Sequence, residues 1–92
     1  MAKVVFSNRA RRSLVDILDF ISQDNPQASL NLIQDLEKLV VETLRTFPEA
    51  GAKWQNGRRF LVVRRYSVVY RHNAIKEEVV VLAVFSPGMD WR

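Results

Sequence analysis

The chain has 92 residues, 48% of them hydrophobic, and a formal net charge of +4. That length holds one domain, residues 1–92, and a chain this size hides only about 60–65% of its unfolded surface on folding. Cysteine is absent and His72 is the single histidine, which excludes disulfides, thiolate chemistry and the usual zinc ligand sets; no cofactor motif is in view. The opening Met1-Ala2-Lys3-Val4-Val5-Phe6 turns polar too soon for a signal peptide, and no apolar run nears the roughly 20 residues of a membrane helix. A cytoplasmic location without membrane contact is expected.

Lys3–Phe6 is short and β-branched and reads as an opening strand. Ser7 or Asn8 supplies an N-cap for a helix over Arg9–Ser22, whose Leu14, Ile17, Leu18 and Ile21 recur at i, i+3, i+4, i+7. Asp24-Asn25-Pro26 ends that helix and starts another: Asn25 caps, and Pro26 suits the first helical position. The second helix runs over Pro26–Thr46 with Leu32, Ile33, Leu36, Leu39, Val40 and Leu44 on its apolar face. Two helices joined by so short a turn form a hairpin that needs a surface to cover.

Phe47-Pro48-Glu49-Ala50-Gly51 breaks the second helix. Asn56-Gly57, flanked by Trp54 and Phe60, is a strong hairpin signal. Arg58–Arg64, Tyr66–Arg71 and Glu78–Phe85 then read as consecutive strands, with a turn around Asn73–Lys76 and Pro87-Gly88 closing the last one. The expected architecture is α+β: an N-terminal strand, a helical hairpin, then an antiparallel β-meander, with the helices packed on one face of the sheet.

Alternation along the strands divides the side chains between the two faces. Arg58, Phe60, Val62 and Arg64 oppose Arg59, Leu61, Val63 and Arg65. Tyr66, Val68 and Tyr70 oppose Ser67, Val69 and Arg71. Val79, Val81, Ala83 and Phe85 oppose Val80, Leu82 and Val84. Both faces are therefore apolar, whereas an antiparallel sheet with one wet face alternates cleanly. The helices cover one face; the tail, a second copy or a separate protein must cover the other.

Charge is unevenly placed. Lys53, Arg58, Arg59, Arg64, Arg65 and Arg71 follow one another with no acidic residue between Glu49 and Glu77. Such a block is either a solvated surface or a site for an anion or an acidic protein. Lys53, Arg58, Arg64 and Arg65 could hold phosphates, arginine through its planar fork. Tyr66 and Tyr70 share a strand face and could stack on bases or simply pack. His72 has the pKa for acid–base work, but it falls at an expected turn without an orienting carboxylate and reads as a surface residue. No Gly-rich phosphate loop, carboxylate pair or Ser/His/Asp set is visible.

The helix junction Asn25-Pro26-Gln27-Ala28, the exit Leu44 with Phe47-Pro48-Glu49-Ala50-Gly51, Arg58 ahead of Val62-Val63-Arg64-Arg65-Tyr66-Ser67-Val68-Val69-Tyr70, and the closing Asp90-Trp91 together resemble the RelE/ParE superfamily. These are the toxins of bacterial type II toxin–antitoxin modules, associated with plasmid stabilisation and growth arrest. The resemblance covers nearly the whole chain. It implies a cognate antitoxin in a hetero-oligomer, and one of two targets: DNA gyrase for ParE-like members, or the ribosome and its mRNA for the RelE-like nucleases.

Nuclease members usually carry an arginine where this chain has Ser67, and a His-x-x-Arg-Asp-Trp tail where it has Ser86-Pro87-Gly88-Met89-Asp90-Trp91. Loss of a general acid or base costs about a hundred- to ten-thousand-fold. The ParE-like, non-enzymatic reading follows, with Arg58, Arg64, Arg65, Tyr66, Arg71, Met89 and Trp91 contacting target or antitoxin. Under the RelE-like alternative, Lys53, Arg58, Arg65 and Tyr70 would hold phosphates and stack on bases. A degenerate copy that only binds its antitoxin is the third possibility.

Overall fold

The computed structural model describes residues 1–92 and runs β1 (Lys3–Phe6), α1 (Asn8–Ser22), α2 (Pro26–Thr46), β2 (Ala52–Lys53), β3 (Arg58–Val63), β4 (Tyr66–Asn73) and β5 (Glu78–Phe85). The helices start where the capping residues dictate. Ser7 is extended and its Oγ accepts the Ala10 N–H at 3.1 Å; the Asn25 side chain accepts from Ala28 at 3.1 Å, with Pro26 in the first turn. Each cap is worth about 1 kcal/mol.

The strands form one sheet in the order β1-β5-β4-β3-β2. β1 lies parallel to β5, and every other pair is antiparallel. The chain thus leaves one edge, crosses a face as the helical hairpin and re-enters at the opposite edge. Leu14 and Ile17 of α1, and Ile33, Leu36, Val40 and Leu44 of α2, are buried against Tyr66, Val68, Tyr70, Val79, Val81 and Val84 of the sheet. At about 1.5–3 kcal/mol per fully buried large side chain, this layer supplies most of the folding drive. The α+β class, the helical hairpin and the one-sided packing match the sequence reading.

Four details depart from it, each for a local reason. A two-residue strand, β2, pairs Ala52 with Phe60 and Lys53 with Arg59; it is too short to show periodicity. The loop beyond it is three residues, Gln55–Gly57, closed by the Trp54 N–H donating to the Arg58 carbonyl at 2.8 Å.

Second, β5 carries a bulge. Val69 pairs with Ala83 but Tyr70 pairs with Val81, leaving Leu82 as the extra residue. Val79, Val81 and Val84 consequently face the helices, while Ala83 and Phe85 turn to the other side; strict alternation had put Ala83 and Phe85 with Val79. Ser7 Oγ donates to the Leu82 carbonyl at 3.2 Å, so the residue that caps α1 also satisfies the bulge.

Third, β3 ends at Val63, which pairs with Tyr66. Arg64 (φ 49°) and Arg65 (φ 73°) are the two turn residues rather than strand residues sharing themselves between faces. Positive φ at both central positions is the requirement of a type I′ hairpin. Left-handed backbone costs an L residue with a full side chain roughly 1–2 kcal/mol.

Fourth, His72 lies on β4 opposite Val79, not at a turn. Its side chain is 13% exposed, and Nδ1 stands 4.0 Å from Glu49 Oε1.

Candidate functional site

The helix-facing side of the sheet is closed by packing. Tyr70 is fully buried and Tyr66 is 8% exposed, so neither ring is open to the stacking considered for Tyr70 or the docking considered for Tyr66. The Tyr70 hydroxyl instead accepts the Gly51 N–H at 2.8 Å, and Arg59 Nη1 donates to the carbonyls of Gly51 (2.9 Å) and Glu49 (3.3 Å). This network ties the α2–β2 connection to β3 and β4. Burial pushes the Tyr70 phenol up from its ordinary pKa, while the Gly51 N–H and the Arg59 charge pull it partly back.

The opposite face carries the chemistry that remains accessible. The tail folds back onto it: Trp91 stacks parallel on Phe85 at 5.3 Å and meets Phe60 (5.4 Å) and Trp54 (5.1 Å) edge-on. The tail is therefore one answer to what covers the second apolar face, and Val69 and Ala83 beneath it are each 3% exposed. The cover is incomplete. A groove of about 380 Å³ runs between Arg9, Trp54, Arg58, Arg71, Phe85 and Trp91.

Arg58 and Arg71 sit directly opposite each other on β3 and β4, an arrangement that costs stability because the charges repel. Arg58 is held by its Nε donating to the Gln55 carbonyl (3.1 Å) and by its guanidinium lying 4.4 Å from the Trp54 ring centroid. Arg92 lies over Phe60 at 4.6 Å. No carboxylate lines the groove, and no arginine of the chain forms an ion pair within 4.0 Å. Guanidinium forks between indole walls bind and orient an anion or a π-system.

Of the residues singled out by sequence, the groove gathers Arg58, Arg71 and Trp91. Lys53 is exposed on β2 and lines an adjoining hollow with Glu49, Arg59 and His72, which shares Trp54 and Arg58 with the groove. Arg64 and Arg65 form the β3–β4 tip. Met89 is 54% exposed beside Phe20 of α1. Sequence reasoning missed Arg9 and Trp54. Arg9 sits in the first turn of a helix whose partners in space could not be read, but the bulky Trp54 beside a hairpin signal was a visible hint. No group of three or more His, Asp or Glu side chains gathers at a spacing that would hold a metal.

The family model of the ParE toxin of the type II toxin–antitoxin system, parDE, matches residues 4–91. The chain belongs to the ParE toxin family. It is a type II toxin of the wider RelE/ParE group, and its fold agrees. A chain of a chromosomal ParDE toxin–antitoxin system from P. aeruginosa superposes with a TM-score of 0.78 at 22% identity, over 95% of this chain and 97% of that one. A chain of the RelBE2 toxin–antitoxin complex from Mycobacterium tuberculosis gives 0.75 at 18% identity, over 96% and 93%. A chain of the intact RelBE complex of E. coli gives 0.65 at 19%, over 97% and 100%. No curated protein matches the chain at a significant level by sequence. These structures share the fold of this chain, two helices against a five-stranded mixed sheet.

Proposed function

We propose that this ParE-family chain inhibits DNA gyrase by binding and is neutralised by a cognate antitoxin. The observation that carries the non-enzymatic part is the separation of chemistry between the two sheet faces. The phenols of Tyr66 and Tyr70 are buried beneath the helices and His72 shares their strand face, its side chain 13% exposed beside Glu49, whereas the open groove itself presents guanidinium and indole groups. Such a surface docks and orients. Ser67, Ser86 and Met89, where nucleases of the superfamily carry arginine, histidine and arginine, support the same reading.

An antitoxin is supported by the related ParDE and RelBE structures and by what the surface leaves uncovered. Phe20 (76% exposed), Val15 (52%) and Met89 (54%) lie along α1 and the tail. A partner helix or strand would bury them. The test is a supercoiling assay with purified toxin and gyrase, repeated with the antitoxin added first. Inhibition relieved by antitoxin supports the proposal, and unaffected supercoiling sinks it.

The stacked indoles beside Arg58 and Arg71 favour one second reading, a ribosome-dependent mRNA nuclease, since bases stack on such walls. Codon-linked cuts seen by primer extension on translated mRNA would establish it.

A further inference from the structure

The two sharp tips of this sheet each hold two consecutive residues at positive φ, with opposite sequence logic. At the β2–β3 tip the left-handed positions are Asn56 (φ 59°) and Gly57 (φ 72°), the residue types that tolerate the conformation best. At the β3–β4 tip they are Arg64 and Arg65, which tolerate it poorly. Both are exposed, neither makes a side-chain hydrogen bond, and neither reaches a carboxylate of its own chain. Nothing within the fold is served by arginine here. The strain is offset by no side-chain hydrogen bond or ion pair of the chain itself, and strained backbone of this kind concentrates at functional positions.

The surroundings indicate the partner's chemistry. Val62, two residues before the tip, is 57% exposed. Beyond Phe60 the outer edge of β3 has no neighbouring strand, because β2 pairs only with Arg59 and Phe60. Arginine beside an exposed aliphatic side chain and open strand edge has the composition of a protein interface; contacts to nucleic-acid phosphates are dominated by polar neighbours. We propose that the Arg64–Arg65 tip, with Val62, is a docking point for an acidic protein surface on the toxin's target, the two guanidinium forks engaging carboxylates. This rests on the chain acting as a toxin but not on gyrase being what it acts on.

The test uses two full-length variants that suit the turn better than the native residues. R64N/R65G installs the pair found at the other tip; R64D/R65G keeps turn-favouring residues and reverses one charge. Both are expected to melt above the wild type, since they relieve left-handed strain. On induction without antitoxin, R64N/R65G is expected to need about tenfold or more protein for the same growth arrest, and R64D/R65G more still, as loss of a central arginine contact does. Full growth arrest by both stabilised variants would overturn the proposal. A tip that binds a short DNA duplex in the wild type and fails to in R64N/R65G would overturn the assignment to a protein surface. A wild type that arrests growth without touching gyrase refutes the gyrase reading alone and leaves the tip to be judged by its variants. A wild type that arrests nothing refutes the toxin reading and this inference with it.

Discussion

Gly51 is the residue whose smallest change should do the most damage. A Cβ placed there would lie 2.6 Å from the Phe60 carbonyl oxygen and 2.8 Å from both Cε1 and the hydroxyl of Tyr70. Carbon atoms do not approach so closely, and neither neighbour has room: the carbonyl is strand backbone, and Tyr70 is fully buried. Gly51→Ala must therefore push Tyr70 or β3 aside. It would break the 2.8 Å bond from the Gly51 N–H to the phenol and disturb the 2.9 Å bond from Arg59 to the Gly51 carbonyl. Overpacking costs about 1–3 kcal/mol, and a lost buried hydrogen bond adds about 1 kcal/mol. The expected destabilisation is roughly 2–4 kcal/mol, a large share of the roughly 5–15 kcal/mol by which native domains are stable. Urea unfolding followed by tryptophan fluorescence, with the circular dichroism of the helices as a second probe, measures it directly. A Gly51→Ala protein within about 0.5 kcal/mol of wild type would refute the close-packed account of this corner.

Three further outcomes follow from the same geometry. Because burial raises the Tyr70 pKa, the unfolded chain loses this proton before the folded one; stability should hold below pH of about 10 and fall as pH rises above it. Tyr70→Phe should flatten that alkaline slope, at a cost of about 1–3 kcal/mol for the Gly51 N–H left without its acceptor, and urea midpoints between pH 9 and 11, values set by the ~10 reference pKa, would show it. Trp91→Ala should cost about 1–3 kcal/mol, uncover Phe60 and Phe85 and increase binding of a hydrophobic dye; an unchanged melt and dye signal would mean the tail does not rest on the sheet. Arg71→Ala removes one of two opposed charges, so the unfolding free energy from urea titration should hold or rise, by up to about 0.5–1 kcal/mol, while inhibition of the target weakens; a destabilised protein with full potency would contradict the docking role.

Much of this molecule was legible because local and tertiary demands agree. The stripes of α1 and α2, the caps at Ser7 and Asn25, and the span of β5 follow from period and cap chemistry that survive folding unchanged. The faces of β5 were not legible, because the bulge at Leu82 depends on its position between Ser7 of one neighbouring segment and Tyr70 of another. The Arg64–Arg65 turn was hidden for the opposite reason: turns are read from Gly, Asn and Asp, and this one contains none. His72 was misplaced with it, since a strand that ends at Asn73 looks, by composition, as though it ends at Arg71. The groove itself was half visible. Its arginines are dense in sequence, but which of them share a face depended on where the tips fall, and Arg9 joins only through the topology that places β1 beside β5.

Those relocations bear on function in one direction. Both phenols are buried beneath the helices, His72 is 13% exposed and stands beside Glu49, and the arginines that remain accessible have no carboxylate of their own within ion-pair distance. A basic, aromatic surface held rigid by the sheet suits binding, and the proposal is that its target is gyrase.

The most direct test is gyrase supercoiling of relaxed plasmid DNA with purified toxin, followed by detergent and protease treatment to reveal trapped cleaved DNA. The account predicts inhibition with accumulation of cleaved DNA, abolished when the cognate antitoxin is bound first. Normal supercoiling at a toxin concentration that arrests growth would contradict it.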